Sequence, residues 1–181
     1  FSKNKSIAEL TDWNIYSPVW APVSLEDQWL KLQDKDPFDY AKVERKIPAS
    51  KELKVSFDLK AGQNNKGTLQ IEFLDENGIA CSRMELTDDG IFRLKGGSRF
   101  ANMMKYEAGK VYHVEAVLST VDRNIQVYVD GKRVGLRMFY APVAAVERIV
   151  FRTGVPRTFP TVDTPADQTY DLPDAGAQDP L

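Results

Sequence analysis

The clearest alternation of apolar and polar positions along the chain lies between Gly109 and Arg133. Apolar residues recur at every second position in two runs, which are Tyr112, Val114, Ala116 and Leu118, then Ile125, Val127 and Val129. A period of two with β-branched and aromatic residues is typical of half-buried strands. Asp130-Gly131 closes the second run with a tight-turn sequence, so we expect residues 132–138 to fold back as a third strand.

The stretch before this hairpin shows the same alternation at residues 52–60 and 67–75. We expect the apolar members to enter the core, namely Leu53, Val55, Phe57, Leu59, Leu69, Ile71 and Phe73. Asn77-Gly78 is a turn sequence that leads into another short strand at residues 79–86. Short alternating strands divided by closely spaced turns predict an all-β protein with two packed antiparallel sheets.

The alternating pattern sets the expected domain boundaries. It begins near Trp13 and ends near Gly154, so residues 13–154 are predicted to form the β-sandwich domain. Residues 1–12 are polar and are expected to be frayed. Residues 155–181 are rich in proline and aspartate, so they are expected to form an extended C-terminal strap or a linker to a neighbouring domain. Both ends favour a module excised from a longer polypeptide.

Two short sequences in the central hairpin carry a family resemblance. Gly-Lys-x-Tyr-His-Val at residues 109–114, followed by Val-Tyr-Val-Asp-Gly-Lys at residues 127–132, resembles the central hairpin of laminin-G-like, concanavalin-A-like jelly-roll modules. The resemblance implies a two-sheet antiparallel jelly-roll sandwich. Such modules are found appended to bacterial polysaccharide-degrading enzymes, both lyases and glycosidases. The same family also includes lectins, catalytic domains and spacer domains.

Composition and charge narrow the classes of partner. The chain has 181 residues, of which 43% are hydrophobic and 28% charged, as in a globular domain with one core. The net charge is −2, so the chain lacks the excess of positive charge that is typical of nucleic-acid-binding domains. No apolar run approaches the roughly 20 residues that span a bilayer. The single cysteine, Cys81, excludes an internal disulfide and is expected to be a passive thiol.

Candidate binding residues come from outward positions of the predicted strands and from one aromatic-rich loop. Aromatic faces such as that of Trp20 match the apolar faces of sugar rings, although Trp side chains also pack the open ends of sandwiches. The candidate carbohydrate-binding residues are Trp20, Gln70, Glu72, Arg83, His113, Glu115, Gln126 and Tyr128. Those on strands are expected to share one outward face. The alternative is that they have no binding role, because the solvent-exposed face of an antiparallel sheet is normally polar.

The sequence lacks the familiar catalytic signatures. No Gly-rich phosphate loop, His-Glu-x-x-His, Cys-x-x-Cys or Gly-x-Ser-x-Gly motif occurs, and one histidine excludes a multi-histidine metal site. In the resembled family, glycosidases place two carboxylates on the concave sheet, and lyases use Arg, Gln, His and Tyr there. Gln70, Arg83, His113 and Tyr128 have the residue types of a lyase. Neither enzyme motif is present, so no catalytic residue is assigned.

A turn with three aspartates is the candidate metal site. Asp34, Asp36 and Asp39 surround Pro37, and carboxylate oxygens are ligands that calcium prefers. Aspartates beside a proline are also ordinary turn chemistry. A structural calcium at these residues is the one cofactor that the sequence allows us to name.

These observations predict a non-catalytic carbohydrate-associated module of a larger extracytoplasmic enzyme, periplasmic or at the cell surface. Its expected partner is a poly- or oligosaccharide, or an adjacent domain that it buttresses. Two alternatives remain open. One is a self-contained polysaccharide lyase or glycoside hydrolase that uses the concave sheet face, and the other is a structural or protein-interaction module without sugar affinity.

Overall fold

A computed structural model describes residues 6–35 and 39–154. Within these ranges the chain forms thirteen β-strands and a single turn of 3-10 helix at Ile7–Glu9. The strands are β1 Trp13–Tyr16, β2 Val23–Glu26, β3 Trp29–Leu32, β4 Lys42–Ser50, β5 Glu52–Lys60, β6 Leu69–Leu74, β7 Ala80–Leu86, β8 Ile91–Gly96, β9 Arg99–Lys105, β10 Val111–Ser119, β11 Asn124–Val129, β12 Lys132–Met138 and β13 Val146–Thr153. No helix in the described part is long and apolar enough to cross a membrane.

The strands pair into two antiparallel sheets and one separate hairpin. The larger sheet has seven strands in the order β1-β4-β13-β6-β7-β8-β9, and the smaller has four in the order β12-β11-β10-β5. The hairpin consists of β2 and β3. The predicted all-β sandwich of two antiparallel sheets is confirmed. The predicted C-terminal strap at residues 155–181 lies outside the described residues.

The central hairpin, β10 and β11, supplies much of the apolar interior. Val114, Leu118 and Ile125 are each 0% exposed, and they belong to one cluster with Ile71 and Phe73 of the seven-stranded sheet. Burial of such a side chain contributes about 1.5–3 kcal/mol before conformational entropy is subtracted. The predicted core of this hairpin and of β6 is therefore confirmed.

Strand β5 differs from this prediction in degree. Its apolar residues face the core as expected but are half-buried, because β5 lies at the edge of the four-stranded sheet. An edge strand has a neighbour on one side only, so its inward side chains have fewer partners to cover them. The alternation therefore predicted the correct face and overstated the burial.

Strands β2 and β9 were not predicted, and each has a local reason. The turn between β2 and β3 uses positive φ angles at Asp27 (47°) and Gln28 (69°), where Gly and Asn are the usual residues. Strand β9 has the sequence RFANMMK, which lacks a clean apolar alternation. Strand β1 is the edge of the seven-stranded sheet, and Pro18 and Pro22 follow it outside the strands, where they interrupt no ladder of hydrogen bonds.

Candidate functional site

The face of the seven-stranded sheet that points away from the core, which we call the outer sheet face, carries a row of polar residues. Directly opposed residues in an antiparallel sheet project to the same side. The row contains one residue from each strand, and its members are Tyr16, Lys42, Arg152, Gln70, Glu85, Arg93 and Asn102. With strands about 4.8 Å apart, this polar row is roughly 29 Å long. Such a length suits an extended ligand.

Ion pairs fix the glutamates of the outer sheet face. Glu85 accepts a hydrogen bond from the Nε of Arg93 at 2.7 Å, and the Glu85 side chain is only 5% exposed. Glu72 accepts from the Nε of Arg83 at 2.7 Å. Glu44 lies 2.7 Å from the Lys42 amine and 3.2 Å from Arg148 Nη1. The three carboxylates are therefore committed to basic partners within the chain.

Gln70 occupies the centre of the polar row between Arg152 and Glu85. Its side chain is 0% exposed, and neither amide atom has a hydrogen-bond partner. A buried polar group without a partner costs about 1–3 kcal/mol. The Gln70 amide is therefore unfavourable for the stability of the folded chain, because no group of the described residues satisfies it.

Aromatic rings lie near one end of the polar row, at the β1 edge. The rings of Tyr16 and Tyr40 are 5.0 Å apart, and the Arg152 guanidinium lies 4.0 Å from the Tyr40 ring centroid. The Tyr16 hydroxyl donates to Asp39 at 3.1 Å. Tyr16 is 46% exposed, so its ring remains available for stacking.

A second aromatic group lies at the opposite, β9 end. The Arg93 guanidinium lies 4.3 Å from the Phe100 ring centroid, and the Lys95 amine lies 4.5 Å from that of Tyr140. Burial lowers the pKa of Lys95, and the nearby Arg83 charge lowers it further. Both ends of the outer sheet face thus combine a cation with an aromatic ring.

The candidates named from the sequence divide between the two sheets. Gln70, Glu72 and Arg83 lie on the outer sheet face, whereas the other four strand candidates lie on the outward face of the four-stranded sheet. Those four are His113, Glu115, Gln126 and Tyr128. The expectation that all of them share one face is wrong, because the apolar core separates the two sheets. Their individual roles in sugar binding stay predictions.

Polar side chains on the outward face of the four-stranded sheet form ion pairs and hydrogen bonds with one another. His113 Nδ1 lies 2.8 Å from Asp58 Oδ1, and Glu115 lies 2.8 Å from the Lys54 amine. The Tyr128 hydroxyl donates to Gln126 at 3.1 Å. The lyase-type set of Gln, Arg, His and Tyr is consequently not assembled.

Trp20 lies in the loop between β1 and β2. It is 64% exposed and its neighbour Val19 is 83% exposed. This exposure contradicts the alternative in which Trp20 packs an open end of the sandwich. Trp13 does pack, with its ring 6.4 Å from that of Phe151.

Several residues of the outer sheet face were missed in the sequence analysis, and Tyr40, Lys95, Phe100 and Tyr140 are among them. Lys95 lies two residues after Arg93 in β8, so both side chains project from the same side of the sheet. The alternation in that strand could therefore have predicted that Lys95 points outward. Phe100 lies opposite Lys95 on the unpredicted strand β9. Tyr40 and Tyr140 lie outside the strands, where no periodicity indicates the direction of a side chain.

Two of the three candidate calcium ligands lie in the described residues. Asp34 is buried, and the Oδ1 of Asp39 accepts hydrogen bonds from the Tyr16 hydroxyl and the Tyr40 amide. Asp36 lies outside the described residues. Over the ranges 6–35 and 39–154, no group of three or more His, Cys, Asp or Glu residues could hold a metal ion. A calcium that involves Asp36 stays a prediction.

Cys81 is a buried thiol on β7. Its Sγ donates to the Phe73 carbonyl at 3.3 Å, and burial raises its pKa to about 12. The exposed His113 lies on the four-stranded sheet, on the outward side of the core. The two residues therefore do not form a nucleophile–base pair.

Comparisons with known proteins place the fold in a family. A family model described as sialidase-like, CBM domain, matches residues 13–168. A solved structure of a sialidase is 86% identical with a TM-score of 0.88, and the match covers 99% of this chain and 16% of that chain. The chain thus spans a small part of that relative. No curated protein matches.

More distant structures share the fold alone. The apo Crh5 transglycosylase has a TM-score of 0.67 at 12% identity, and the match covers 94% of this chain and 75% of that chain. The carbohydrate-binding module CBM66 from Bacillus subtilis has a TM-score of 0.52 at 11% identity, covering 78% of this chain and 87% of that one. The predicted resemblance to jelly-roll modules of glycan-degrading enzymes is confirmed.

Proposed function

The chain belongs to the family of sialidase-like carbohydrate-binding modules, and we propose that it binds glycan on the outer sheet face. We further propose that it works as one part of a larger extracytoplasmic sialidase-like enzyme. The 86% identity to a sialidase of which it covers 16% supports this second point. The module then holds the enzyme near its polymeric or surface-bound substrate.

The polar row with an aromatic group at each end is the observation that carries the proposal. Sugar hydroxyls need directed donors and acceptors, and the apolar faces of sugar rings stack on aromatic side chains. Lys42, Arg93 and Asn102 keep part of their surface exposed and supply the polar groups, and Tyr16 and Phe100 supply rings near the two ends. Polar groups are paired with each other on the opposite face as well, so the aromatic group at each end of the polar row is the feature that favours the outer sheet face.

A binding assay with matched variants tests the choice of face. A glycan array identifies a ligand, and titration calorimetry then measures its affinity for Tyr16→Ala, Phe100→Ala and Tyr128→Ala. We expect the first two changes to weaken binding by about twofold to tenfold, since aromatic contacts contribute about 0.5–1.5 kcal/mol. Tyr128→Ala on the four-stranded sheet is the control and should have no effect. Loss of affinity in the control alone would place the site on the other sheet.

Docking of an adjacent domain is a second candidate function, and the exposed loop before β2 favours it. Val19 and Trp20 expose two neighbouring apolar side chains, at 83% and 64%. Exposed large apolar groups of this kind are typical of contact sites. In the full-length enzyme, Trp20→Ala should lower the cooperativity of thermal unfolding between this module and its neighbour. Unchanged unfolding of both domains would argue against this contact.

A further inference from the structure

The two sheets end on the same side of the sandwich in edge strands, β9 and β12. Each is the last strand in the order of its sheet, and among the described residues neither has a second strand beside it. The two strands contact each other, and a cavity of about 340 Å³ lies between them, which we call the edge cleft. Its lining includes Leu94, Ala101, Met103, Arg133, Gly135 and Arg137. The edge of a sheet presents a row of backbone N–H and C=O groups that can pair with a further strand.

Arg137 of β12 reaches across the edge cleft toward the seven-stranded sheet. It lies opposite Ile125, which is buried, so its side chain starts from the inner side of the four-stranded sheet. A Cβ atom added at Gly96 of β8 would lie 2.7 Å from the Cδ of Arg137, so the aliphatic part of Arg137 lies directly over this glycine. Arg137 is nevertheless exposed, and its Nη1 donates to the Leu136 carbonyl at 2.8 Å. The guanidinium is therefore held at the mouth of the edge cleft.

The two strands that flank the edge cleft carry charges of one sign. Their charged residues are Arg99 and Lys105 in β9 and Lys132, Arg133 and Arg137 in β12, with no Asp or Glu in either strand. None of the five forms an ion pair within the described ranges. Strand β5, the other edge of the four-stranded sheet, contains both acidic and basic residues. The edge cleft therefore favours a negatively charged occupant, and two copies of the chain would repel each other there.

The lining of the edge cleft favours an extended peptide over a sugar. No aromatic ring is among the described residues that line it, so a sugar ring has no surface on which to stack. A peptide needs none, because main-chain hydrogen bonds to a strand edge give affinity and pockets take alternate side chains. Strand β12 has seven residues and is roughly 24 Å long, at about 3.4 Å per residue. This length is sufficient for a ladder of several hydrogen bonds.

We propose that an extended acidic segment from elsewhere in the same larger polypeptide adds to β12 as a further strand. Its apolar side chains enter the edge cleft beside Leu94 and Met103, and its carboxylates accept hydrogen bonds from Arg133 and Arg137 at the rim. The related sialidase, of which this chain covers 16%, has ample further polypeptide to supply the segment, and tethering raises its effective concentration. The inference rests on the proposed membership of a larger enzyme, and it does not depend on glycan binding.

Synthetic peptides test the chemistry of the edge cleft on this chain. The probe is a short peptide of alternating glutamate and valine, and its controls have lysine in place of glutamate or methyl groups on alternate backbone nitrogens. We expect only the acidic, unmethylated peptide to bind in titration calorimetry and to shift the NMR signals of β12 amides. The methylated peptide cannot donate the ladder hydrogen bonds. Equal binding of acidic and basic peptides, or shifts confined to other surfaces, would overturn the proposal.

A matched pair of variants tests the role of Arg137. Arg137→Met keeps an aliphatic stem over Gly96 and removes the charge. It should weaken binding of the acidic peptide about twofold to fivefold, as expected for an exposed ion pair. Lys60→Met removes an exposed cation from β5, at the opposite edge of the same sheet, and should leave the affinity unchanged. Equal affinities of the two variants would contradict the proposal.

Hydrogen exchange in the full-length enzyme tests the source of the segment. The β12 amides should exchange more slowly in the enzyme than in this chain alone, and Arg137→Glu should restore fast exchange. Fast exchange at β12 in both proteins would overturn the inference and leave glycan binding on the outer sheet face intact. Protection of β12 by dimerisation of this chain would assign the edge to a second copy and would also overturn it. A native protein no longer than this chain would overturn both the inference and its premise.

Discussion

Replacement of Gln70 by methionine should make the free protein more stable. Gln70 is 0% exposed, and both its amide nitrogen and its amide oxygen lack hydrogen-bond partners among the described residues. Methionine has a similar length and shape without these polar groups. The change therefore removes a desolvation cost while it keeps the packing volume, in the way that volume-conserving core exchanges do.

The expected size of the effect follows from the number of unsatisfied groups. One buried polar group without a partner costs about 1–3 kcal/mol. The amide nitrogen and oxygen of Gln70 are in contact with the same surroundings, so their two costs do not simply add. We therefore expect Gln70→Met to raise the free energy of unfolding by about 1–3 kcal/mol. For a chain of this size, each 1 kcal/mol corresponds to a rise in Tm of about 2–4 °C.

Urea unfolding followed by tryptophan fluorescence measures the change, with Gln126→Met as the control. Gln126 lies on the other outward face and accepts a hydrogen bond from the Tyr128 hydroxyl at 3.1 Å. The same exchange at Gln126 breaks a satisfied contact, so it should be neutral or destabilising. If Gln70→Met lowers the urea midpoint, then the Gln70 amide contributes to stability and the reasoning is refuted.

Two further predictions concern the core and the thiol. Leu118→Ala, at a side chain that is 0% exposed, should lower the free energy of unfolding by about 2–5 kcal/mol; a loss below about 1 kcal/mol in urea would contradict the packing. With a pKa raised to about 12, the Cys81 thiol should not react with a disulfide reagent at pH 8 until urea is added. Rapid reaction of the native protein would be inconsistent with its burial.

Local alternation predicted most of the strands because the side-chain period is a property of each strand alone. The inward side of β10 and β11 followed from the spacing of Val114, Leu118, Ile125 and Val127, and all four are buried. The turn at Asp130-Gly131 also formed as expected, with positive φ at both residues. These features need no knowledge of distant parts of the chain.

The membership of each sheet could not be predicted from local alternation. Strand β6 pairs with β13, so Gln70 lies opposite Arg152, far along the chain. Strand β10 pairs with β5, so His113 lies opposite Asp58 in the other sheet. Parity shows that Gln70 and His113 both point outward, but it does not show that they point in opposite directions. Long-range pairing decides which candidates meet.

The way in which the outer sheet face holds its glutamates suits binding better than acid–base catalysis. Glu72 and Glu85 each accept an arginine Nε–H at 2.7 Å, so one oxygen of each carboxylate is already engaged. The same contacts hold Arg83 and Arg93 in fixed directions. Donors that are fixed before the ligand arrives lose little side-chain entropy when they bind sugar hydroxyls. The ion pairs therefore hold the arginine donors in place before a ligand binds.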